Sequence, residues 1–165
     1  MISSRSHDKA FHMWTEFLHH LFLQVPITAS LGLAMIGIYF VISPANNIAL
    51  IIRYLGWITF IAITGTALSG IFSAPGILGG DGPIELSHHR NLGLIVWSIA
   101  LLATVGFEIG ARTVSEYSKY IKSASVLLWI AVAFSAIGAG HWGGAVVHSD
   151  KIPWDLSPPV IKDLK

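Results

Sequence analysis

The sequence has no cysteine and few charged side chains: among 165 residues, only 12% are Asp, Glu, Lys or Arg. The absence of cysteine excludes disulfides, iron–sulfur clusters, thiolate zinc sites and covalently attached c-type haem. Any bound metal must therefore be held by histidine, carboxylate or methionine. The net charge of +1, with no basic cluster, argues against nucleic acid as a partner.

Apolar residues make up 53% of the chain and fall into four long runs. A run of about 20 apolar residues forms a helix long enough to cross the hydrocarbon core of a bilayer. The sequence therefore predicts one all-α domain, an integral membrane four-helix bundle in contact with lipid. Its spans are expected near 17–42, 48–74, 92–111 and 126–147, followed by a polar tail over 149–165.

Two short connections lie on the same predicted side of the membrane. The turn over 43–47 makes spans one and two antiparallel neighbours, and a loop over 113–122 joins spans three and four. Glu108 and Arg112 are four residues apart, which predicts an ion pair within span three. Pro26 is expected to kink span one.

All eight histidines fall on the other predicted side of the membrane. Polar side chains within a membrane span are functional candidates because their burial in lipid is costly, and neutral imidazole is the commonest metal ligand. The location of all the histidines on one side favours a shared binding site over separate histidines that each only cap a helix at the membrane interface. The histidines are His7, His12, His19, His20, His88, His89, His141 and His148.

The richest stretch is 135–150, SAIGAGHWGGAVVHSD. His141 and His148 are seven residues apart, so they project from one helix face about 10 Å apart along the axis. Gly140, Gly143 and Gly144 create room beside the helix around Trp142 for a flat ligand or a partner helix. The structural alternative is a packing seam of small residues with histidines at the membrane interface.

Haem b fits these features best, because it needs only axial histidines and a flat apolar slot and requires no cysteine. The predicted iron ligands are His19 or His20, His89, His141 and His148. Because His141 and His148 are too far apart along one helix to serve one iron, one or two haems are expected. A zinc or copper cluster is the metal alternative, and it would need three or four converging ligands. A metal permease is disfavoured by the lack of carboxylates within the spans on the histidine side.

The stretch GHWGGAVVHSDKI resembles the G-H-x-G-G-x-L-T-H-G-x-x-Y-L ending of a bacterial family of small four-span membrane domains. Its members are described as predicted membrane or haem-associated subunits, some of them fused to periplasmic cytochromes. Val147 and Ser149 depart from that pattern. The matching residues are Gly140, His141, Gly143, Gly144 and His148.

The likeness touches all four spans and covers about 140 residues. The family begins roughly H-P-x-x-x-H-F-P-I, and His19, Pro26 and Ile27 match. Gln24 stands where the second histidine is expected, and His20, one turn earlier, is its possible substitute. The A-x-x-G pattern that ends at Gly70 matches the end of the family's second span. The family's third span begins H-R-x-L-G, which resembles HRNLG at 89–93. The resemblance thereby adds Gly70 and Arg90 to the expected cofactor-binding residues.

We expect a non-catalytic, cytochrome b-type electron-transfer subunit of a larger redox complex, with haem near one membrane face and quinone as a second candidate cofactor. Electrons would pass between quinone or a neighbouring redox subunit and a periplasmic cytochrome or dehydrogenase. The alternative is a non-redox anchor or assembly subunit. Short loops rich in lysine and arginine favour the cytoplasm. Arg112, Lys119 and Lys122 therefore predict a bacterial inner-membrane protein whose histidine side and termini face the periplasm.

Overall fold

The computed structural model describes residues 4–73 and 84–147, with side chains described over 23–71 and 87–143. The described residues form a four-helix bundle, which confirms the predicted all-α class. The helices are α1 (Ser4–Ile42), α2 (Asn46–Ser73), α3 (Ile84–Arg112) and α4 (Ser118–Val147).

Each helix packs on two neighbours, so the four form a closed ring. The contacting pairs are α1 with α2, α2 with α3, α3 with α4, and α4 with α1, and the α3–α4 contact is the most extensive. Helices α1 and α3 therefore face each other across one diagonal of the bundle, and α2 and α4 across the other. The 43–45 and 113–117 turns lie together at one end, which we call the turn end. The opposite end, which carries His88, His89 and His141, is the histidine end.

All four helices are long and apolar enough to cross a membrane. The candidate spans are Leu23–Ile42, Asn46–Ile71, Ser87–Arg112 and Ser118–Gly143. Large apolar side chains such as Met35, Ile58 and Phe134 point outward and are more than half exposed. Because such a surface is stable only in an apolar solvent, the fold is that of a multi-pass membrane protein.

Helix α4 starts earlier than predicted, because the 113–122 stretch is a loop only as far as residue 117. The hydroxyl of Ser118 donates to the carbonyl of Gly110 at 2.7 Å, and the backbone N–H of Ser118 donates to the carbonyl of Ser115 at 3.0 Å. These bonds close the turn within five residues. Helix α1 runs on through Pro26, which is buried.

The bundle centre is filled along both diagonals. Phe40 of α1 meets Phe107 of α3 edge to face, with ring centroids 5.9 Å apart. On the other diagonal, Trp129 of α4 is 1% exposed and lies over Gly56 of α2, where an added Cβ would be 3.6 Å from Trp129 Cζ2. A side chain as large as tryptophan fits there because the facing position is glycine.

An ion-pair network joins α2 to α3 at the turn end. Glu108 accepts from Arg112 Nε at 2.6 Å, which confirms the predicted pair within α3. Glu108 also accepts two bonds of 2.6 Å from Arg53 of α2, one from Nε and one from Nη2. This forked contact spans fifty-five residues of sequence and was not predicted. It gives Arg53 a counter-charge at the edge of the apolar region.

Candidate functional site

The predicted site residues lie at the histidine end, on all four helices. His89 and Arg90 lie on α3, Gly70 on α2, and Gly140, His141, Trp142 and Gly143 on α4. His19 and His20 lie in α1 and Gly144 in α4, beyond the described side chains of those helices. His148 lies outside the described residues.

His89 makes the best-defined polar contact of this end. Its Nδ1 lies 2.7 Å from the backbone carbonyl oxygen of Ala139 on α4. A carbonyl can only accept, so Nδ1 must carry the proton and donate it. In the neutral ring the lone pair then belongs to Nε2. Metal-binding histidines adopt this arrangement, because donation from one ring nitrogen orients the other toward the metal.

Two glycines of α4 let its neighbours approach closely. A Cβ placed on Gly143 would be 2.9 Å from Cε1 and 3.0 Å from Nδ1 of His89, too close for any ordinary contact. A Cβ on Gly140 would be 3.2 Å from Ile27 Cδ1 and 3.9 Å from Leu23 Cδ2 of α1. Gly143 thus admits the His89 ring and Gly140 admits α1. That these glycines also leave room for a porphyrin stays a prediction.

His89 lies on the face of α3 that is buried along the rest of the helix. It precedes Phe107 by eighteen residues, which is five turns, so both side chains leave the same face. Gly93 lies one turn after His89 on that face, and a Cβ added there would meet no heavy atom of a neighbouring element within 4 Å. Gly70 similarly follows the buried Ile52 of α2 by eighteen residues. The core face of α3 therefore carries Gly93 one turn from His89, and the core face of α2 carries Gly70 toward the same end.

His141 lies on a different face. One residue after Gly140, it is rotated by about 100° from the contact with α1, and its side chain is exposed. The sequence grouped His89 and His141 as ligands at one membrane face. The structure places both at that end, with His89 on the core face of α3 and His141 on the exposed surface of α4.

Three rings form a ladder on the outside of α3 and α4. His88 stacks on Trp142 with centroids 4.9 Å apart and planes 28° apart. His141 meets the same Trp142 edge to face at 5.8 Å. We call His88, Trp142 and His141 the outer ladder. Trp142, predicted near the cofactor, thus packs between two imidazoles, and His88 was not among the predicted site residues. The contact between His88 and Trp142 joins residues that are far apart in sequence, and the contact between His141 and Trp142 depends on the rotamers of two adjacent side chains. Residue spacing alone therefore gave no signal for either contact.

Within the described part of the chain, no three His, Cys, Asp or Glu side chains converge as a metal site. A zinc or copper cluster with three or four ligands has no counterpart there. Haem makes a smaller demand, because one or two imidazoles are sufficient to hold its iron.

No family model, curated protein or solved structure matches this chain. The fold and the histidine end are therefore the basis of the functional proposal.

Proposed function

We propose that the protein is a membrane cytochrome b-type electron-transfer subunit that binds haem b at the histidine end. The observation that carries the proposal is His89, an imidazole on the core face of α3 whose Nδ1 donates to Ala139. Haem supplies one-electron chemistry when it is bound. Electrons would pass between quinone or a neighbouring redox subunit and a periplasmic cytochrome or dehydrogenase.

The surroundings of His89 support haem over a bare metal ion. A porphyrin needs a flat apolar space, and the face of α3 that carries His89 has Gly93 one turn further on in place of a large side chain. The half-buried Arg90 follows His89 on α3. A guanidinium at the end of a span suits the carboxylate of a haem propionate, because charge-assisted bonds of this kind are strong.

A non-redox anchor subunit is the second candidate function. The hydrogen bond from His89 to Ala139 also supports this function, because it can serve a purely structural purpose. The bond from His89 to Ala139, together with the ring's fit over Gly143, joins α3 to α4. That contact stabilises the bundle whether or not an iron is bound. The two functions therefore differ in haem content and not in the fold they require.

The test is the haem content of the purified protein, measured as its pyridine haemochrome. We expect haem b in the wild type and its loss in His89→Ala. The matched control is His88→Ala, which removes the neighbouring imidazole from the outer ladder and should retain haem. A wild-type protein that folds, inserts and contains no haem would reject the redox function and favour the anchor.

We also propose that the histidine end faces the periplasm of a bacterial inner membrane. The turn end carries Arg53, Arg112, Lys119 and Lys122 against Glu108 and Glu116, and such an excess of positive charge favours the cytoplasm. Because the chain has no cysteine, single substitutions report the orientation. In intact cells, His88→Cys should react with a membrane-impermeant thiol reagent and Ser115→Cys should not. The opposite labelling pattern would invert the proposed topology.

A further inference from the structure

A groove on the outer surface of the bundle runs between α1 and α4. It lies within the candidate spans Leu23–Ile42 and Ser118–Gly143, and its volume is about 150 Å³. We infer that this groove binds one acyl chain of an anionic phospholipid, whose headgroup lies beside Lys119 at the turn end. The inference is independent of haem, because the groove is on the outer surface of the spans and the proposed haem site is at the histidine end.

The groove exists because both helices carry alanine where they approach each other. Ala34 of α1 and Ala133 of α4 line its floor and are 7% and 3% exposed. Met35 and Phe134, the next residues on each helix, also line the groove and are 71% and 73% exposed. Two small residues between two large ones therefore leave a furrow along the helices, with Met35 and Phe134 as its walls.

Every side chain that lines the groove is apolar. Ile38 of α1 and Ile130 of α4 extend the lining toward the turn end. Such a surface offers no hydrogen bond to a polar ligand, and apolar cavities of this size take up apolar molecules. In a bilayer the molecule that fills the hydrocarbon core is the acyl chain. A helix with its side chains is about 10 Å across, so the groove has room for one hydrocarbon chain and too little for a helix of a second copy.

A lysine lies on the groove side of α4, at the turn end. Lys119 precedes Ile130 by eleven residues, which is close to three turns, so the two side chains leave α4 in nearly the same direction. The two positions are about 16 Å apart along the helix axis. Lys119 is exposed, and its Nζ lies 4.8 Å from the centroid of the Tyr120 ring. A phosphate held at Lys119 would therefore place an acyl chain at the depth of the groove.

The charges of the turn end favour an anionic headgroup over a zwitterionic one. Among the described residues of this end, four cations face two carboxylates, and one of these carboxylates already pairs with both arginines. A lysine at a membrane surface attracts anionic lipid. The cations are Arg53, Arg112, Lys119 and Lys122, and the carboxylates are Glu108 and Glu116.

The experiment is photocrosslinking of the full chain in phosphatidylcholine vesicles that contain a minor fraction of phosphatidylglycerol with a diazirine on one acyl chain. Mass spectrometry should find the label concentrated on Met35, Ile38 and Phe134. Ile58 and Ile61 of α2 are also more than half exposed and serve as the internal control, which should be labelled less. Equal labelling of the two faces would show only the lipid that surrounds any membrane protein, and would overturn the inference.

The headgroup contact is tested by charge. Lys119→Gln should reduce labelling of the groove by phosphatidylglycerol about fivefold, the effect of one lysine at an anionic surface. Labelling by phosphatidylcholine with the same diazirine should not change. The matched control is Lys122→Gln, because Lys122 turns toward the bundle, with its Nζ 5.8 Å from the centroid of Phe40. An equal loss in both variants would show that net charge attracts the lipid, and would contradict a headgroup site at Lys119.

The acyl-chain contact is tested by volume. Ala34→Leu fills the floor of the groove and should abolish its labelling by either lipid. Ala124→Leu adds the same volume at an exposed position about 120° around α4 from Ile130, and should leave the labelling unchanged. If Ala34→Leu does not fold, Phe134→Ala removes an exposed wall instead and should lower the labelling.

A second copy of the chain is the other possible occupant. Because the chain has no cysteine, Phe134→Cys reports it directly. Disulfide-linked dimers of this variant in vesicles would place a second copy at the groove and overturn the inference. We expect the variant to remain monomeric, with the label still on Met35 and Ile38.

Discussion

The two ends of the bundle use polar side chains in opposite ways. At the turn end, the charges of Arg53 and Arg112 meet on the carboxylate of Glu108, with every donor–acceptor distance at 2.6 Å. The Glu108 carboxylate and both guanidiniums are therefore paired within the protein. At the histidine end, the described polar side chains include three imidazoles, one of which donates to the backbone oxygen of Ala139. The described contacts of these imidazoles are with a backbone carbonyl and with an aromatic ring.

Glycine is also used differently at the two ends. Gly110 at the turn end lies against the α4 backbone, where an added Cβ would be 3.2 Å from the N atom of Lys122. Gly143 at the histidine end lies against a side-chain ring, and Gly93 against open space. A backbone contact cannot adjust, whereas a ring can move. The comparison indicates that the helices are held more rigidly at the turn end than at the histidine end.

The largest effect is expected from breaking the ion-pair network. Glu108→Ala leaves Arg53 and Arg112 without their shared carboxylate at the edge of the apolar region, and should lower Tm by about 5 °C or more. The measurement is thermal unfolding in detergent. Glu116→Ala, in the exposed 113–117 turn, is the control and should change Tm little. Equal Tm values for the two variants would contradict a fastening role for the turn end.

A methyl group at Gly110 should have the next largest effect. Gly110→Ala forces α3 away from the Lys122 backbone and disturbs the bond from Ser118 to the Gly110 carbonyl, at a cost of about 1–2 kcal/mol. Denaturant titration of the helical signal would measure that cost. An unchanged unfolding free energy would show that the turn end adjusts as readily as a side-chain contact.

The same substitution at the histidine end should act on the site more than on stability. Gly143→Ala pushes the His89 ring from its place beside Ala139, which a rotation of the ring accommodates at under about 1 kcal/mol. We expect reduced haem content with nearly normal unfolding. If Gly143→Ala costs as much stability as Gly110→Ala and leaves haem content intact, the contrast between the ends fails.

The smallest effect is expected at Gly65, a control position on the exposed side of α2. A Cβ there would meet no heavy atom within 4 Å, so Gly65→Ala adds no clash and removes a helix-destabilising glycine. Unfolding stability should rise by about 0.5 kcal/mol with haem content unchanged. A fall in stability would indicate that this face of α2 contacts another molecule in the membrane.

The sequence could predict which residues reach the histidine end, but it could not predict their faces. His89 and His141 were placed together because helix length and loop order assign each to an end. The rotation of α4 depends on Gly140 packing against Ile27 and on Gly143 packing against His89, contacts between residues far apart in sequence. For the same reason the sequence did not predict the Arg53–Glu108 pair, which joins two helices. The Glu108–Arg112 pair could be predicted because it follows from spacing within one helix.

The sequence by itself determined that this protein has four apolar helices, with the histidines of the described residues at one end. Hydrophobic run length and the 3.6-residue period are local properties, and they are sufficient to define spans and their ends. Only the tertiary structure decided that His89 lies on the core face and His141 on the surface, and that Phe40 meets Phe107 across the α1–α3 diagonal. The physical reason is that each helix rotates about its axis to the position where small residues allow the closest packing against its neighbours.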